Sequence, residues 1–284
     1  MRGRWLLNLV LLLLVAALAA VAWYAQREPS GAALLELDPD RIDTLVVQRR
    51  NQEDLHLRRE AGNWWITTPE RLPASEFHVR QILEAAIAQS SVSYPMEDLE
   101  PERLGLDPPR ARLQLNEQVL LYGGTEPIDG LRYIQTGNRI HLVRDTIGPL
   151  LEGPWWNFID RRLVPPGMAL VGVKTPAYVL AREDGIWRVE SDGTGVDDAE
   201  RLAANWQAAG ALVVKQVRRQ PGADAPVSLH FADGSVRRLV PANESGERRL
   251  VDAERGLAYV FDPASKAYLM NGRLTDTGAD SEAP

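Results

Sequence analysis

Apolar residues along this chain recur at two spacings, which predict strands and helices in a definite order. Leu55 and Leu57 alternate with polar residues, as in a strand with one buried face. In residues 74–87 the apolar side chains Val79, Ile82, Leu83 and Ala86 recur at positions i, i+3, i+4 and i+7, which form one face of an amphipathic helix. Between the strand and the helix, residues 59–65 read REAGNWW, and the glycine predicts a tight hairpin turn.

The same order of patterns recurs 123 residues later. The motif R-E-x-G-x-W occurs at residues 59–64 and again at 182–187, and the apolar positions of the following helices match at the same offset. Beyond the helices the offset falls to 116 or 117 residues, and the later strands correspond as well. Because the match extends through strand, turn and helix, we interpret the motif as a duplicated structural corner and not as a duplicated active site. The corner consists of Gly62, Trp64, Trp65, Gly185 and Trp187.

These patterns predict an α+β fold made of two tandem, duplicated modules behind an N-terminal transmembrane helix. Each module is expected to contain a β-hairpin, a helix, antiparallel strands and a short helix. The predicted order is a cytoplasmic N-terminus at 1–4, a transmembrane helix at 5–24, a linker at 25–39, a first module at 40–153, an aromatic and proline-containing linker at 154–167, a second module at 168–272 and a flexible tail at 273–284.

The N-terminal segment predicts export from the cytoplasm. Residues 5–24 carry no charge, and about 20 residues at 1.5 Å each are enough to cross a bilayer core of about 30 Å. Arg2 and Arg4 precede this segment, so the positive-inside rule places the N-terminus in the cytoplasm and the bulk of the chain in the periplasm. A cleaved signal peptide is the alternative, because residues 17–22 resemble cleavage sites. The sequence thus favours a single-pass protein of the bacterial inner membrane.

Composition excludes several functional classes. The 284-residue chain has a formal net charge of −7, which argues against general nucleic-acid binding, since that requires a basic surface. It contains no cysteine, so disulfides, thiolate metal sites and cysteine nucleophiles are ruled out. Its four histidines lack the spacing of paired metal ligands, and no nucleotide-binding glycine loop or serine-hydrolase motif occurs. We therefore predict no catalytic residues, no metal and no cofactor.

The predicted linker contains the most interesting group of side chains. Three large aromatic residues stand close together there and are followed by charged residues. They can pack the two modules together, or they can form an exposed patch that contacts a partner or lines a pocket. The possible interface consists of Trp155, Trp156, Phe158, Asp160, Arg161 and Arg162.

Several short motifs resemble a known family. Residues 104–108 read LGLDP, residues 121–123 read LYG, and residues 158–163 read FIDRRL. Together with the tryptophan corner they resemble the bacterial domain of unknown function 4340 family, over about residues 60–165. The resemblance implies a membrane-anchored envelope protein. Some members are associated with auxiliary components of gliding-type ABC transporters.

Three functional hypotheses remain open at this stage. The first is a non-catalytic, membrane-anchored periplasmic accessory or scaffold protein, with protein partners in an ABC-type transport complex or another envelope complex. The second is a periplasmic protein that binds a peptide, lipid or glycan in a cleft. The third is a hydrolase with an unrecognised pair of carboxylates, which requires a cleft where two acids converge.

Overall fold

A computed structural model describes residues 12–18, 33–191, 196, 198–218, 226–244 and 246–273. The helices are α1 (residues 12–18), α2 (Glu76–Ala86), α3 (Gly148–Glu152), α4 (Ala199–Ala208) and α5 (Pro263–Asn271). Short 3-10 turns span Pro39–Arg41, Met96–Asp98 and Trp155–Phe158.

The strands of the earlier part of the chain are β1 (Thr44–Arg49), β2 (Leu55–Glu60), β3 (Asn63–Thr68), β4 (Leu72–Pro73), β5 (Val92–Pro95), β6 (Ala111–Leu115), β7 (Gln118–Thr125), β8 (Arg132–Thr136) and β9 (Arg139–Val143). The later strands are β10 (Leu170–Lys174), β11 (Tyr178–Glu183), β12 (Ile186–Ser191), β13 (Val213–Gln216), β14 (Val227–Phe231), β15 (Val236–Glu244), β16 (Glu247–Asp252) and β17 (Leu257–Phe261).

The protein is β-rich, so the predicted α+β class is wrong. The strands form two antiparallel sheets, of nine and eight strands, and the described helices are few and short. The alternating segments join through tight turns, so most of the chain is used in hairpins. Residues 92–95 and 213–216, to which the sequence patterns assigned no element, also pair as strands.

The predicted transmembrane helix is also contradicted. In the part of the chain that the structure describes, no helix is long and apolar enough to cross a membrane. The longest described helix, α2, has 11 residues, which at 1.5 Å each cover about 17 Å of a bilayer core of about 30 Å. Of the predicted span 5–24, only residues 12–18 are described; the rest lies outside the described residues. The same finding contradicts the predicted location, which was a single-pass protein of the inner membrane with the bulk of the chain in the periplasm.

The described residues fall into two compact units. The first unit contains the chain up to Asp54 together with Arg80–Glu152, and the second contains Leu55–Val79 together with the chain from Gly153 onward. Strands of the first unit lie in the order β1-β6-β7-β8-β9-β5. In the second unit β4-β3-β2 are neighbours, and the larger sheet has the order β12-β11-β10-β14-β15-β16-β17-β13.

One order of elements occurs twice along the chain. Three antiparallel strands, a helix, an edge strand, four strands and a short helix follow each other from β1 to α3 and again from β10 to α5, except that the two-residue β4 has no second counterpart. We call residues 40–153 the first copy and 168–272 the second copy. The two corner turns share their backbone conformation, since Ala61 and Gly62 have φ of 47° and 84°, and Asp184 and Gly185 have 48° and 84°. Two successive positive φ angles are the signature of a type I′ hairpin turn.

The corner tryptophans belong to the hydrophobic core. Trp64 is 6% exposed and Trp187 is 8% exposed. The Arg59 guanidinium lies 5.1 Å from the centre of the Trp64 ring, so the outer face of that ring is also covered. In the second copy β12, which carries Trp187, packs against α4. The corner therefore has a structural role in both copies.

An arginine-rich pocket in the second unit

The second unit contains a pocket of about 190 Å³ whose lining combines aromatic rings with arginines. Residues of three stretches meet there: 65–73 around β3 and β4, 160–168 in the predicted linker, and 231–259 in β14–β17. The aromatic lining residues are Trp65, Phe231 and Tyr259, the basic ones are Arg71, Arg162, Arg237, Arg238 and Arg255, and the acidic ones are Asp160, Asp252 and Glu254. The lining charges alone sum to +2, but Glu60 and Glu70, which lie outside the lining, pair with Arg71 and Arg255 and offset this excess.

The floor of the pocket is a buried ion-pair cluster on β15 and β16. Asp252 is 1% exposed, and its Oδ2 accepts a hydrogen bond of 2.8 Å from Nη1 of Arg255. Nε of Arg237 lies 3.4 Å from the same oxygen, within ion-pair distance but without hydrogen-bond geometry. The Arg237 guanidinium also stacks 4.7 Å from the centre of the Tyr259 ring and donates to the carbonyl of Leu163 at 2.9 Å. These contacts hold two guanidinium groups in place.

Three further arginines have exposed side chains at the mouth of the pocket. Arg71 is bound through two nitrogens to Glu60, at 2.7 and 3.2 Å, and its guanidinium lies 4.9 Å from the centre of the Trp65 ring. This hydrogen bond lowers the pKa of Glu60. Arg238 is 61% exposed and lies 3.9 Å from Glu254, which is a loose pair.

The third exposed arginine, Arg162, comes from the predicted linker. Its nitrogens bind both oxygens of Asp160, and the shortest contact, from Nη2, is 2.6 Å. This side-chain hydrogen bond raises the pKa of Arg162. The pair is held at the pocket because the linker backbone bonds on two sides: Asp160 N donates to the carbonyl of Pro73 at 2.9 Å, and Leu163 N donates to that of Ala209 at 3.0 Å.

The other residues of the possible interface lie elsewhere along the linker. The Phe158 ring is 0% exposed, so it belongs to the core. Trp155 and Trp156 are half-buried and pack edge to face, with their centres 6.2 Å apart. Arg161 has an exposed side chain, and its carbonyl accepts a hydrogen bond from Ala211 N. Among these six residues, Asp160 and Arg162 line the arginine-rich pocket.

Sequence reasoning missed four of the five arginines, although the repeat contained a signal for them. At 117 residues before Arg237, Asp252 and Arg255, the first copy has Leu120, Gln135 and Asn138. At these three positions the second copy therefore has charged residues and the first copy has uncharged ones. A comparison of the copies position by position identifies this difference.

The guanidinium groups are the part of the pocket that can bind an anion. A guanidinium presents a planar set of donors that matches a carboxylate or a phosphate. The three acids of the lining are each paired with an arginine. Ser235, which also lines the pocket, donates its hydroxyl hydrogen to Asp233 within their own turn. Among the residues that the structure describes, no group of three or more His, Asp or Glu is placed to hold a metal ion.

Comparisons with known proteins gave no match: no family model fits the chain, and neither curated proteins nor solved structures match it.

Proposed function

We propose that this protein is a non-catalytic binding protein that holds a carboxylate or phosphate group of its ligand in the arginine-rich pocket. The observation that carries the proposal is the occurrence of this charged cluster in one copy of a repeated fold. The first copy forms the equivalent strands with Leu120, Gln135 and Asn138, so the fold itself does not require the arginines.

Stability does not account for the arginines at the mouth. Exposed ion pairs contribute about 0–1 kcal/mol each, because water and salt screen them and ordering the side chains costs entropy. Arg71 and Arg238 have side chains that are 58% and 61% exposed. The same weakness makes them suitable for binding, since an incoming anion can replace Glu60 or Glu254 at little cost.

The buried arginines of the floor supply positive charges in fixed positions, which exposed arginines do not. Arg237 and Arg255 are held by Asp252, and Arg237 is also held by Tyr259, so their positive charges are oriented before a ligand arrives. Preorganised donors lose less conformational entropy on binding. A ligand with two anionic groups can therefore use the floor and the mouth together. This role is compatible with the accessory function that the sequence predicts for an ABC-type transport complex or another cell-envelope complex.

The test uses a fluorescein-labelled peptide of four glutamates and a matched peptide of four glutamines. At low salt we expect fluorescence anisotropy to show binding of the glutamate peptide and at least tenfold weaker binding of the glutamine peptide. The double variant Arg71→Ala/Arg238→Ala should weaken binding of the glutamate peptide at least tenfold, because each charge-assisted hydrogen bond contributes about 1.5–3 kcal/mol.

The matched control is Arg188→Ala. Arg188 is 63% exposed and pairs with Glu183 at 3.3 Å, so it resembles the mouth arginines but lies outside the pocket lining. We expect this variant to bind like the parent. Equal binding of the two peptides, or an equal effect of the control and the double variant, would refute recognition of anions by this pocket.

A further inference from the structure

A second cavity, independent of the arginine-rich pocket, lies between α4 and α5 in the second unit. Its volume is about 520 Å³, which is in the range of about 300–1,000 Å³ typical of small-molecule sites. We call it the α4–α5 cleft. One wall is the end of α4 around Ala208, and the other is formed by Phe261 and the first two turns of α5.

The repeat forms a cavity at the equivalent place in the first unit. That cavity of about 350 Å³ is lined by Ala85 at the end of α2 and by Arg144 and Ile147 before α3. Ala208 follows Ala85 by 123 residues, and Phe261 and Ala264 follow Arg144 and Ile147 by 117. The fold thus leaves a gap between its longer and its shorter helix in both copies.

The two gaps have different linings. In the first unit Glu84, Arg144 and Asp145 contribute three charges. In the α4–α5 cleft, Phe261 and Leu269, each 4% exposed, form an apolar floor. Among the described residues that line this cleft, Arg201 at the exposed rim is the one side chain that carries a charge at neutral pH.

Three polar residues of the cleft, Arg201, Asn205 and Tyr268, are linked by hydrogen bonds. The amide nitrogen of Asn205 donates to the carbonyl of Arg201 at 2.8 Å and to the hydroxyl of Tyr268 at 3.3 Å. The cleft therefore combines an apolar floor with a rim that has one positive charge and neutral hydrogen-bonding groups. Such a lining is complementary to a molecule that has an apolar body and a single anionic end.

We propose that the α4–α5 cleft binds a single-chain amphiphile with one carboxylate head. The hydrocarbon chain lies against Phe261 and Leu269, because burying each CH₂ there is favourable. The carboxylate lies beside Arg201, the charged residue of the rim. This site uses none of the residues of the arginine-rich pocket, so its test is independent of the function proposed above.

The probe is sodium decanoate, kept below its critical micelle concentration and titrated into the full chain by isothermal calorimetry. Decylammonium, with the same chain and a positive head, serves as the charge control. We expect decanoate to bind with a one-to-one stoichiometry and decylammonium at least tenfold more weakly. Equal affinity of the two amphiphiles would overturn the proposal, because it would indicate adsorption to exposed apolar surface.

Two variants test the location. Arg201→Gln should weaken the binding of decanoate about tenfold. Ala208→Trp fills the cleft from an exposed position, so it should abolish binding while the circular dichroism spectrum is unchanged. Arg188→Gln is the matched control and should bind like the parent. If Ala208→Trp fails to fold, Ala264→Phe fills the opposite wall and tests the same point. Binding that survives in a folded cleft-filling variant would place the amphiphile elsewhere and refute the site.

A third arm separates free amphiphiles from membrane lipids. We expect no binding to vesicles of phosphatidylcholine and phosphatidylglycerol, since the cleft accommodates one short chain. Vesicle binding that Ala208→Trp abolishes would overturn the assignment to a free amphiphile. The double variant Arg71→Ala/Arg238→Ala should leave decanoate binding unchanged, so failure of the arginine-rich pocket and failure of this site are distinguishable.

Discussion

Two buried tyrosines, one in each unit, differ in how their hydroxyls are bonded, and each occupies a position where the other copy has leucine: Tyr178 corresponds to Leu55, and Tyr122 corresponds to Leu239. Tyr178 in the second unit is 2% exposed, and its hydroxyl donates to the carbonyl of Leu269 at 2.6 Å and accepts from Nε1 of Trp206 at 2.7 Å. Tyr122 in the first unit is 1% exposed, and its hydroxyl has no hydrogen-bond partner among the residues that the structure describes. One hydroxyl joins β11 to α4 and α5, whereas the other makes no hydrogen bond within the described part of the chain.

The repeat therefore determines where backbone and apolar side chains lie, while the polar groups are particular to each copy. The hairpin turns and corner tryptophans agree in the two copies, down to the φ angles. The buried hydroxyls, the helix caps, the lining of the clefts and the arginine cluster do not. Function is therefore expected where the copies disagree.

The largest expected effect concerns the shared part of the structure. Trp187→Ala and Trp64→Ala should each lower the free energy of unfolding by about 3–5 kcal/mol, because each removes a buried ring and leaves a cavity. Urea unfolding followed by circular dichroism measures this. A loss below about 1 kcal/mol in either variant would show that the two corners do not have the same role.

An intermediate effect tests the contrast between the tyrosines. Tyr178→Phe leaves a buried carbonyl and an indole N–H without their partner, so we expect a loss of about 1–3 kcal/mol. Tyr122→Phe removes a buried hydroxyl that makes no hydrogen bond, so stability should be unchanged or higher. Urea midpoints of the two variants beside the parent provide the measurement. Equal losses in both would contradict the difference in bonding.

The pH dependence of stability should not separate the two tyrosines. Burial raises the pKa of Tyr178 to about 12, and burial also raises the pKa of Tyr122. A tyrosine whose pKa is higher in the folded protein contributes stability that is fully present below its unfolded-state pKa of about 10. This contribution is lost as the pH rises from about 10 through the folded-state pKa. Each Phe variant should therefore lose less stability than the parent between about pH 9 and 11, as measured by urea midpoints. If the urea midpoint of a variant falls with pH as steeply as that of the parent, burial of that ring is contradicted.

The smallest expected effect concerns the N-caps of the equivalent helices. The Asp198 carboxylate accepts from Glu200 N and Arg201 N at 3.0 and 3.2 Å, whereas the Ser75 hydroxyl accepts from His78 N at 3.4 Å. Asp198→Ala should cost about 1 kcal/mol, and Ser75→Ala less, because its bond is longer and single. Thermal melts of the two variants test the order. A larger loss for Ser75→Ala would reverse the assigned importance of the caps.

The sequence by itself determined the local structure and its repetition. Alternation of apolar residues, helical spacing and the turn glycines act within a few residues, so the corners at Gly62 and Gly185 and the helices α2 and α4 are readable from the chain. The resemblance to the domain of unknown function 4340 family and the accessory role stay predictions. The α+β class was wrong because short segments between clear patterns, such as β5 and β13, gain their strand character from partners far along the chain.

Tertiary structure alone decided which side chains meet. Asp160 and Arg162 were visible as a charged pair in the linker, but only the backbone bonds of that linker to Pro73 and Ala209 bring them to Arg71 and Arg237. The cleft beside Phe261 likewise exists only because α4 and α5 leave a gap as they pack. A pocket is formed by contacts between distant residues, and neither periodicity nor composition encodes distances of that kind.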